Sequence, residues 1–251
     1  MNISWDGEKY TSDFSFVHQY GNSVAELIEA KGNGTVLDLG CGNGALSKAL
    51  RDKGYQVKGI DASQEMLDIA RKHYPDIEFM KADATDFSLD APVDVVFSNA
   101  VFHWIDKDRQ KDMLECVYRA LNKDGEFVFE FGGYGNAQII HGALEKVFSK
   151  HGYMYQKSFY FPKIGEYATL LEDTGFKVTY AILFDRLTEL KGENGLKDWI
   201  NMFVKTPFSI IDHEAEREAI KNEAVDTMRS VLYKDGKWYA DYVRLRMRAV
   251  K

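Results

Sequence analysis

Cysteine is scarce in this chain: Cys41 and Cys116 are the two such residues among 251. Two thiols cannot build a disulfide scaffold, and a reducing, cytoplasmic setting is the expectation. No run is long and apolar enough to span a bilayer, and the first residues carry no signal-peptide pattern, so no membrane association is expected. Positive charge is in deficit, with 32 Lys and Arg against 39 Asp and Glu and a formal charge of −7. That balance argues against broad electrostatic attraction to nucleic acid or to an anionic membrane. No His/Cys/Asp cluster has metal-ligand spacing, so no metal is expected. Internal repeats and low-complexity tracts are missing too. What the chain does have is a hydrophobic share of 45%, enough for a real core. Its length suits one large α/β domain or a domain with an insert.

The most informative stretch is residues 35–50. Val36-Leu37-Asp38-Leu39 reads as a short strand without polar/apolar alternation, which suits a buried parallel strand. It runs into Gly40-Cys41-Gly42-Asn43-Gly44 and then into a helix. Glycines let a ligand approach bare backbone, and a helix start offers free N–H groups. Asp61 follows a second strand at a distance suited to holding ribose hydroxyls. The implied ligand is a nucleoside cofactor.

Gly40, Gly42 and Ala45 also satisfy the dinucleotide pattern G-x-G-x-x-G/A, so an NAD-dependent oxidoreductase is one alternative. Three details favour S-adenosylmethionine. Asp38 lies two residues before the first glycine, where it would repel a pyrophosphate and attract an ammonium or a sulfonium. Gly44 completes a tighter Gly-x-Gly-x-Gly turn, and a third acid, Asp83, follows a third strand pattern at residues 77–81.

The segment 38–44 resembles the first motif of class I S-adenosylmethionine-dependent methyltransferases, and residues 59–67 resemble their acidic second motif. Ala82-Asp83-Ala84 is similar to their adenine-edge motif, and residues 97–104 are similar to the strand-four segment of the trans-aconitate methyltransferase branch. The resemblance spans residues 34–131, with weaker similarity towards both ends. It implies a Rossmann-like, doubly wound, mostly parallel seven-stranded sheet whose last strand is antiparallel. It also implies binding of S-adenosylmethionine, release of S-adenosylhomocysteine, and O-methylation of a small carboxylic acid. The chain departs from that branch at residues 130–136 and in a helical insertion, so N- or C-methylation of another small molecule stays open. A non-catalytic nucleoside-binding regulator is a further alternative, because fold does not fix function.

Strands are expected at 35–39, 55–60, 77–81, 93–98, 126–131, 177–184 and 239–250. Helices are expected at 23–30, 44–52, 63–73, 108–121, 136–150, 164–174, 196–204 and 214–232. Residues 1–33 form an N-terminal cap segment, and residues 34–251 form the methyltransferase domain. A helical insertion at about 187–235 reads either as a lid or as a buttress. Asp38, Asp61, Asp83 and Asn99 all fall at or just after strand ends, on one rim.

The expected cofactor residues are Tyr10, Gln19, Asp38, Gly40, Cys41, Gly42, Asp61, Ala62, Met66, Asp83, Ala84, Asn99, Ala100 and Val101. Asp38 would contact the methionyl part or cap the glycine turn. Asp61 would hold the ribose, with Ser63 as the better helix cap. Met66 would pack on adenine or belong to the core. Asp83 and the Ala84 N–H would read the adenine edge. By the resemblance, Tyr10 and Gln19 would close over the cofactor, and carbonyl groups near Asn99 would meet its methionyl end. The expected acceptor residues are His103, Trp104, Tyr134, Asn136 and Arg186. His103 reads as a general base or as a hydrogen-bonded packing residue. Trp104 reads as a cation–π wall or as core. Two further groups, Glu193 to Gly195 with Trp199, and Lys157 with Tyr160 and Phe161, could line the acceptor or serve only structure. Methyl transfer by in-line displacement needs positioning and exclusion of water above all.

Overall fold

A computed structural model describes residues 16–251, with side chains from residue 20 onward. The elements in chain order are α1 (Phe16–Ala25), β1 (Thr35–Leu39), α2 (Ala45–Asp52), β2 (Gln56–Asp61), α3 (Gln64–His73), β3 (Glu78–Lys81) and β4 (Val93–Asn99). Then come α4 (Gln110–Ala120), β5 (Leu121–Gly132), α5 (Gln138–Lys150), α6 (Ile164–Asp173) and β6 (Lys177–Leu190). The chain closes with α7 (Gly195–Phe203), α8 (Lys205–Phe208), α9 (Glu214–Leu232), the short β7 (Tyr233–Lys234) and β8 (Lys237–Val250).

The sheet order is β3-β2-β1-β4-β5-β8-β6, with β7 added beside β8. β1 pairs in parallel with both β2 and β4, whereas β8 runs antiparallel to β5 and β6. The chain winds outward from β1 to β3 and returns to β4 on the other side of β1. That reversal opens a crevice at the carboxyl ends of β1 and β4.

Alternation along each strand divides the core between two faces. Val36, Val95, Phe97 and Val128 pack with Val24, Leu46 and Leu50 from α1 and α2. Leu37, Leu39, Phe127, Phe129 and Phe131 pack with Met113, Val117, Tyr167 and Leu171 from α4 and α6. A further core joins α5, α7 and α9 to the far ends of β6 and β8 through Ile140, Phe148, Leu196, Met228 and Trp238. The long β6–β8 pairing, from Lys177 opposite Val250 to Leu190 opposite Trp238, carries this helical group.

Three expected boundaries move. β5 begins at Leu121 rather than at 126, since Leu121 already pairs with Val93 ahead of a register shift. β6 extends past residue 184 to Leu190, because β8 begins early enough to pair with all of it, so the stretch between these strands covers residues 191–236. The first helix lies at Phe16–Ala25 rather than at 23–30. Beyond it Leu27 and Ile28 donate to the carbonyls of Val24 and Ala25, three residues back, so regular winding stops. Val24 and Ile28 are nevertheless buried together. Among the described residues no helix is long and apolar enough to cross a membrane.

Candidate active site

The turn after β1 is shaped by its glycines. The N–H groups of Gly40 and Cys41 both donate to the Ile60 carbonyl, at 2.8 and 3.0 Å, folding the loop back onto β2. Gly40 has φ +76°, and a β-carbon there would sit 2.3 Å from Val101 Cγ2. Both facts exclude a side chain. The carboxylate of Asp61 then braces the loop: its Oδ2 accepts from the Gly42 N–H at 2.9 Å and its Oδ1 from the Ser63 N–H at 2.8 Å. Burial pushes the Asp61 carboxyl up from its ordinary value, and these N–H groups counter the rise. Ser63 caps α3 by accepting from the Met66 N–H at 3.3 Å. Asp83 Oδ1 accepts the Thr85 N–H and hydroxyl, both at 2.8 Å, and those bonds hold its carboxyl below the usual range.

A cavity of about 440 Å³ opens along this rim. Gly40, Gly42, Asp61, Met66 and Asp83 line one end. At its middle lie Asn99, Ala100 and Val101, directly after β4. Ala100 is held at φ +63°, unusual for a residue with a side chain, with its N–H donated to the Glu130 carbonyl at 2.7 Å. The far end is an aromatic chamber of Trp104, Phe159, Phe161, Trp199 and Phe203, with His103, His141 and Arg244 in its wall.

Both histidines are neutral. His103 Nδ1 accepts the Gly132 N–H at 3.3 Å, and burial together with the Arg244 charge holds its pKa well below the ordinary value. With Nδ1 accepting, the ring proton resides on Nε2. His141 Nδ1 meets the Tyr155 hydroxyl at 2.6 Å, and burial pushes its pKa down to about 3, helped by Lys157. Arg244 stacks on the Tyr242 ring, 4.1 Å from its centroid.

A model of the methyltransferase domain matches residues 36–125. An uncharacterized methyltransferase from Schizosaccharomyces pombe is 30% identical over 98% of this chain and 98% of its own. The chain belongs to the S-adenosylmethionine-dependent methyltransferases. A trans-aconitate 2-methyltransferase from Azoarcus is 34% identical to this methyltransferase over 41% of each chain. A solved structure from Bacillus halodurans shares the fold, with TM-score 0.66 and 18% identity over 93% of this chain and 99% of that one.

Most of the residues singled out in the sequence meet at the methyltransferase's cavity. Its wall includes Gly40, Cys41, Gly42, Asp61, Ala62 and Met66, then Asp83, Ala84, Asn99, Ala100 and Val101, and in the far chamber His103, Trp104 and Asn136. Glu193, Asn194, Gly195, Lys157 and Tyr160 do not reach it, and neither do Asp38, Tyr134 and Arg186. Asp38 is 1% exposed beneath the glycine loop, where its Oδ2 accepts the Ser47 hydroxyl at 2.6 Å. Burial pushes its pKa up to about 7, against the Ser47 bond and with the Asp61 charge. Tyr134 is 56% exposed and opens onto a separate groove beside β6. Arg186 turns instead to Glu130, donating from Nη2 at 3.0 Å, and covers the Tyr20 ring at 4.3 Å. Tyr10 and the side chain of Gln19 lie outside the described residues.

Sequence reasoning missed Arg244, His141 and Phe159. A signal for Arg244 existed in the alternation of Arg244, Arg246 and Arg248 along β8. Arg246 donates to Glu130 at 2.7 Å and Arg248 to Glu126 at 3.0 Å. Opposite Arg244 on β5 stands Gly132.

Proposed function

We propose that this methyltransferase esterifies a small carboxylic acid, with the chamber of Trp104, Phe159, Phe161 and Trp199 as the acceptor site. The observation that carries this reading is the lack of a proton acceptor in the chamber's two histidines. His103 and His141 are neutral with Nδ1 already engaged, so neither is poised to take a proton from an amine or an alcohol. A carboxylate arrives ionised and needs no base. Arg244 supplies a cation at that end, while the acids Asp61 and Asp83 lie at the other.

S-adenosylmethionine, when bound, supplies an electrophilic methyl group on a sulfonium. The residues present suit it. Asp61 keeps lone pairs beyond its two backbone bonds, which can accept from ribose hydroxyls. Asp83 and the Ala84 N–H offer an acceptor and a donor for the adenine edge. Met66, whose Cε a β-carbon on Gly42 would approach at 3.3 Å, covers the loop as an apolar flank. Gly40, Cys41 and the backbone of Asn99 to Val101 address the methionyl end. Asp38, buried below, supports the loop through Ser47. His103 Nε2–H and Arg244 orient the acceptor carboxylate. The aromatic walls exclude water, which favours a step that neutralises an anion against a cation. The helical stretch between β6 and β8 serves as the chamber's roof, since Trp199 and Phe203 of α7 stand in its wall, while most of the cap expected at residues 1–33 lies outside the residues described with side chains.

The experiment is transfer of a labelled methyl group from S-adenosylmethionine to a panel of carboxylic acids, amines and phenols. The expected product is a base-labile ester that releases labelled methanol. A base-stable N- or C-methyl product, or no transfer to any acceptor, overturns the proposal.

A further inference from the structure

His141 bonds to Tyr155 through Nδ1, and it is not one of the groups assigned above to the transferred methyl. It is 5% exposed, it lies on the cavity wall, and its Nε2 is buried without a hydrogen-bond partner. Its tautomer follows from Tyr155. Burial raises the Tyr155 pKa, so that hydroxyl keeps its proton. The contact with His141 Nδ1 at 2.6 Å gives the phenol an acceptor. With Nδ1 accepting, the imidazole proton sits on Nε2. A buried N–H donor without a partner is costly, and a ligand oxygen would relieve that cost.

Its position fixes which part of a ligand it meets. The His103 ring lies 5.9 Å from Phe161, and Phe161 lies 6.1 Å from His141, so His141 stands one aromatic layer beyond His103. Phe159 bridges the same two rings at 6.3 and 5.3 Å. The charges bearing on the two histidines are cationic, Arg244 on His103 and Lys157 on His141. Lys157 lies 4.7 Å over the Phe161 ring, with Glu145 and Asp241 as its carboxylate neighbours.

We propose that His141, locked by Tyr155, is a specificity-determining residue that donates its Nε2–H to an oxyanion at the end of the acceptor remote from the reacting carboxylate. The acceptor is then a molecule with two acidic ends and an apolar middle that lies along Phe159 and Phe161. This assignment rests on the carboxylate reading of the same chamber.

The test compares kcat/KM for succinate, glutarate and adipate with that for butyrate, valerate and hexanoate at saturating S-adenosylmethionine. The wild-type protein is expected to prefer at least one diacid over its monoacid by about tenfold or more. H141L is expected to lose that preference because its KM rises by about tenfold for the diacid and by no more than about threefold for the monoacid. H141Q, which keeps an N–H donor, restores most of it, and Y155F falls between. Equal slowing of both acids in H141L, no rescue by H141Q, or no wild-type preference overturns the proposal. If no acid is methylated, the carboxylate reading fails by itself. The subsite is then read from quenching of tryptophan fluorescence by glutarate with S-adenosylhomocysteine present. Tighter binding to wild type than to H141L supports it, and equal affinity refutes it.

Discussion

Replacing Asp38 with Asn should stabilise the cofactor-free protein, and should do so increasingly as the pH rises. The carboxyl is 1% exposed and its pKa moves from 3.8 to about 7, chiefly because burial disfavours the charged form. A carboxyl raised in the folded state gives stability that is fully present below its unfolded pKa and is lost as the pH climbs through the folded value. The window therefore runs from 3.8 to about 7. At about 1.4 kcal/mol per pH unit, ionising Asp38 inside the fold costs about 4 kcal/mol once the pH is above that window. Asn keeps an oxygen to accept the Ser47 hydroxyl and removes the charge. The expected gain in D38N is about 0.5 kcal/mol or less near pH 4 and about 2–4 kcal/mol at pH 8, allowing for relaxation around the ion. Urea titrations of both proteins across that range, without cofactor, give the difference directly. Carboxylates of opposite tendency, such as Asp83 and Asp94, cancel in the comparison because they are common to both proteins. A D38N-minus-wild-type difference that is flat with pH would refute the account of Asp38 as a buried, reluctantly ionised group.

Asp61→Ala should weaken binding of S-adenosylmethionine by about 1–3 kcal/mol in calorimetry; a folded variant with unchanged affinity would remove Asp61 from the site. His103→Ala should lower turnover on a carboxylate acceptor by less than about tenfold, since it removes one neutral donor and no base. Collapse of turnover at unchanged cofactor affinity would contradict that role. Glu130→Ala should destabilise the fold by about 3–5 kcal/mol in urea titration, because Arg186 and Arg246 would keep their charges, 12% and 14% exposed, without the carboxylate between them. A loss under 1 kcal/mol, on the order of a surface pair, would show that the two guanidiniums find other partners.

The part of the cavity proposed for the cofactor was legible because it is local. Each of its parts follows a strand end within a few residues: Gly40 and Gly42 after β1, Asp61 at the end of β2, Asp83 after β3, and Asn99 to Val101 at β4. Apolar runs, glycines and acids at fixed offsets reveal such parts without any knowledge of the tertiary fold. Asp38 shows the limit of this method. Its position two residues before the glycine suits either contact with the ligand or support of the turn, and the side chain takes the second course, turning under the loop to Ser47, nine residues on.

The chamber proposed for the acceptor could not be read in the same way, because its wall gathers Trp104, His141, Phe159, Trp199 and Arg244 from five separated segments. The two arginines make the point. Arg186 and Arg244 lie on neighbouring strands, and each carries a charge that suits a carboxylate. Which one faces the chamber depends on register: Arg186 stands opposite Tyr242, and Arg244 opposite Phe184 on one side and Gly132 on the other. Glu130, two residues before Gly132 on β5, takes up Arg186 and Arg246 together. Arg244 stands opposite Gly132, the glycine whose N–H holds His103. Moving β8 by one residue would turn Arg244 to the opposite face of the sheet and dismantle the Glu130 network with it. On the proposed reading of Arg244, acceptor recognition and the stability of the β5–β8–β6 edge therefore depend on the same strand register. A variant that slips this edge should lose both together, while its cofactor affinity, set on the other side of β4, is kept.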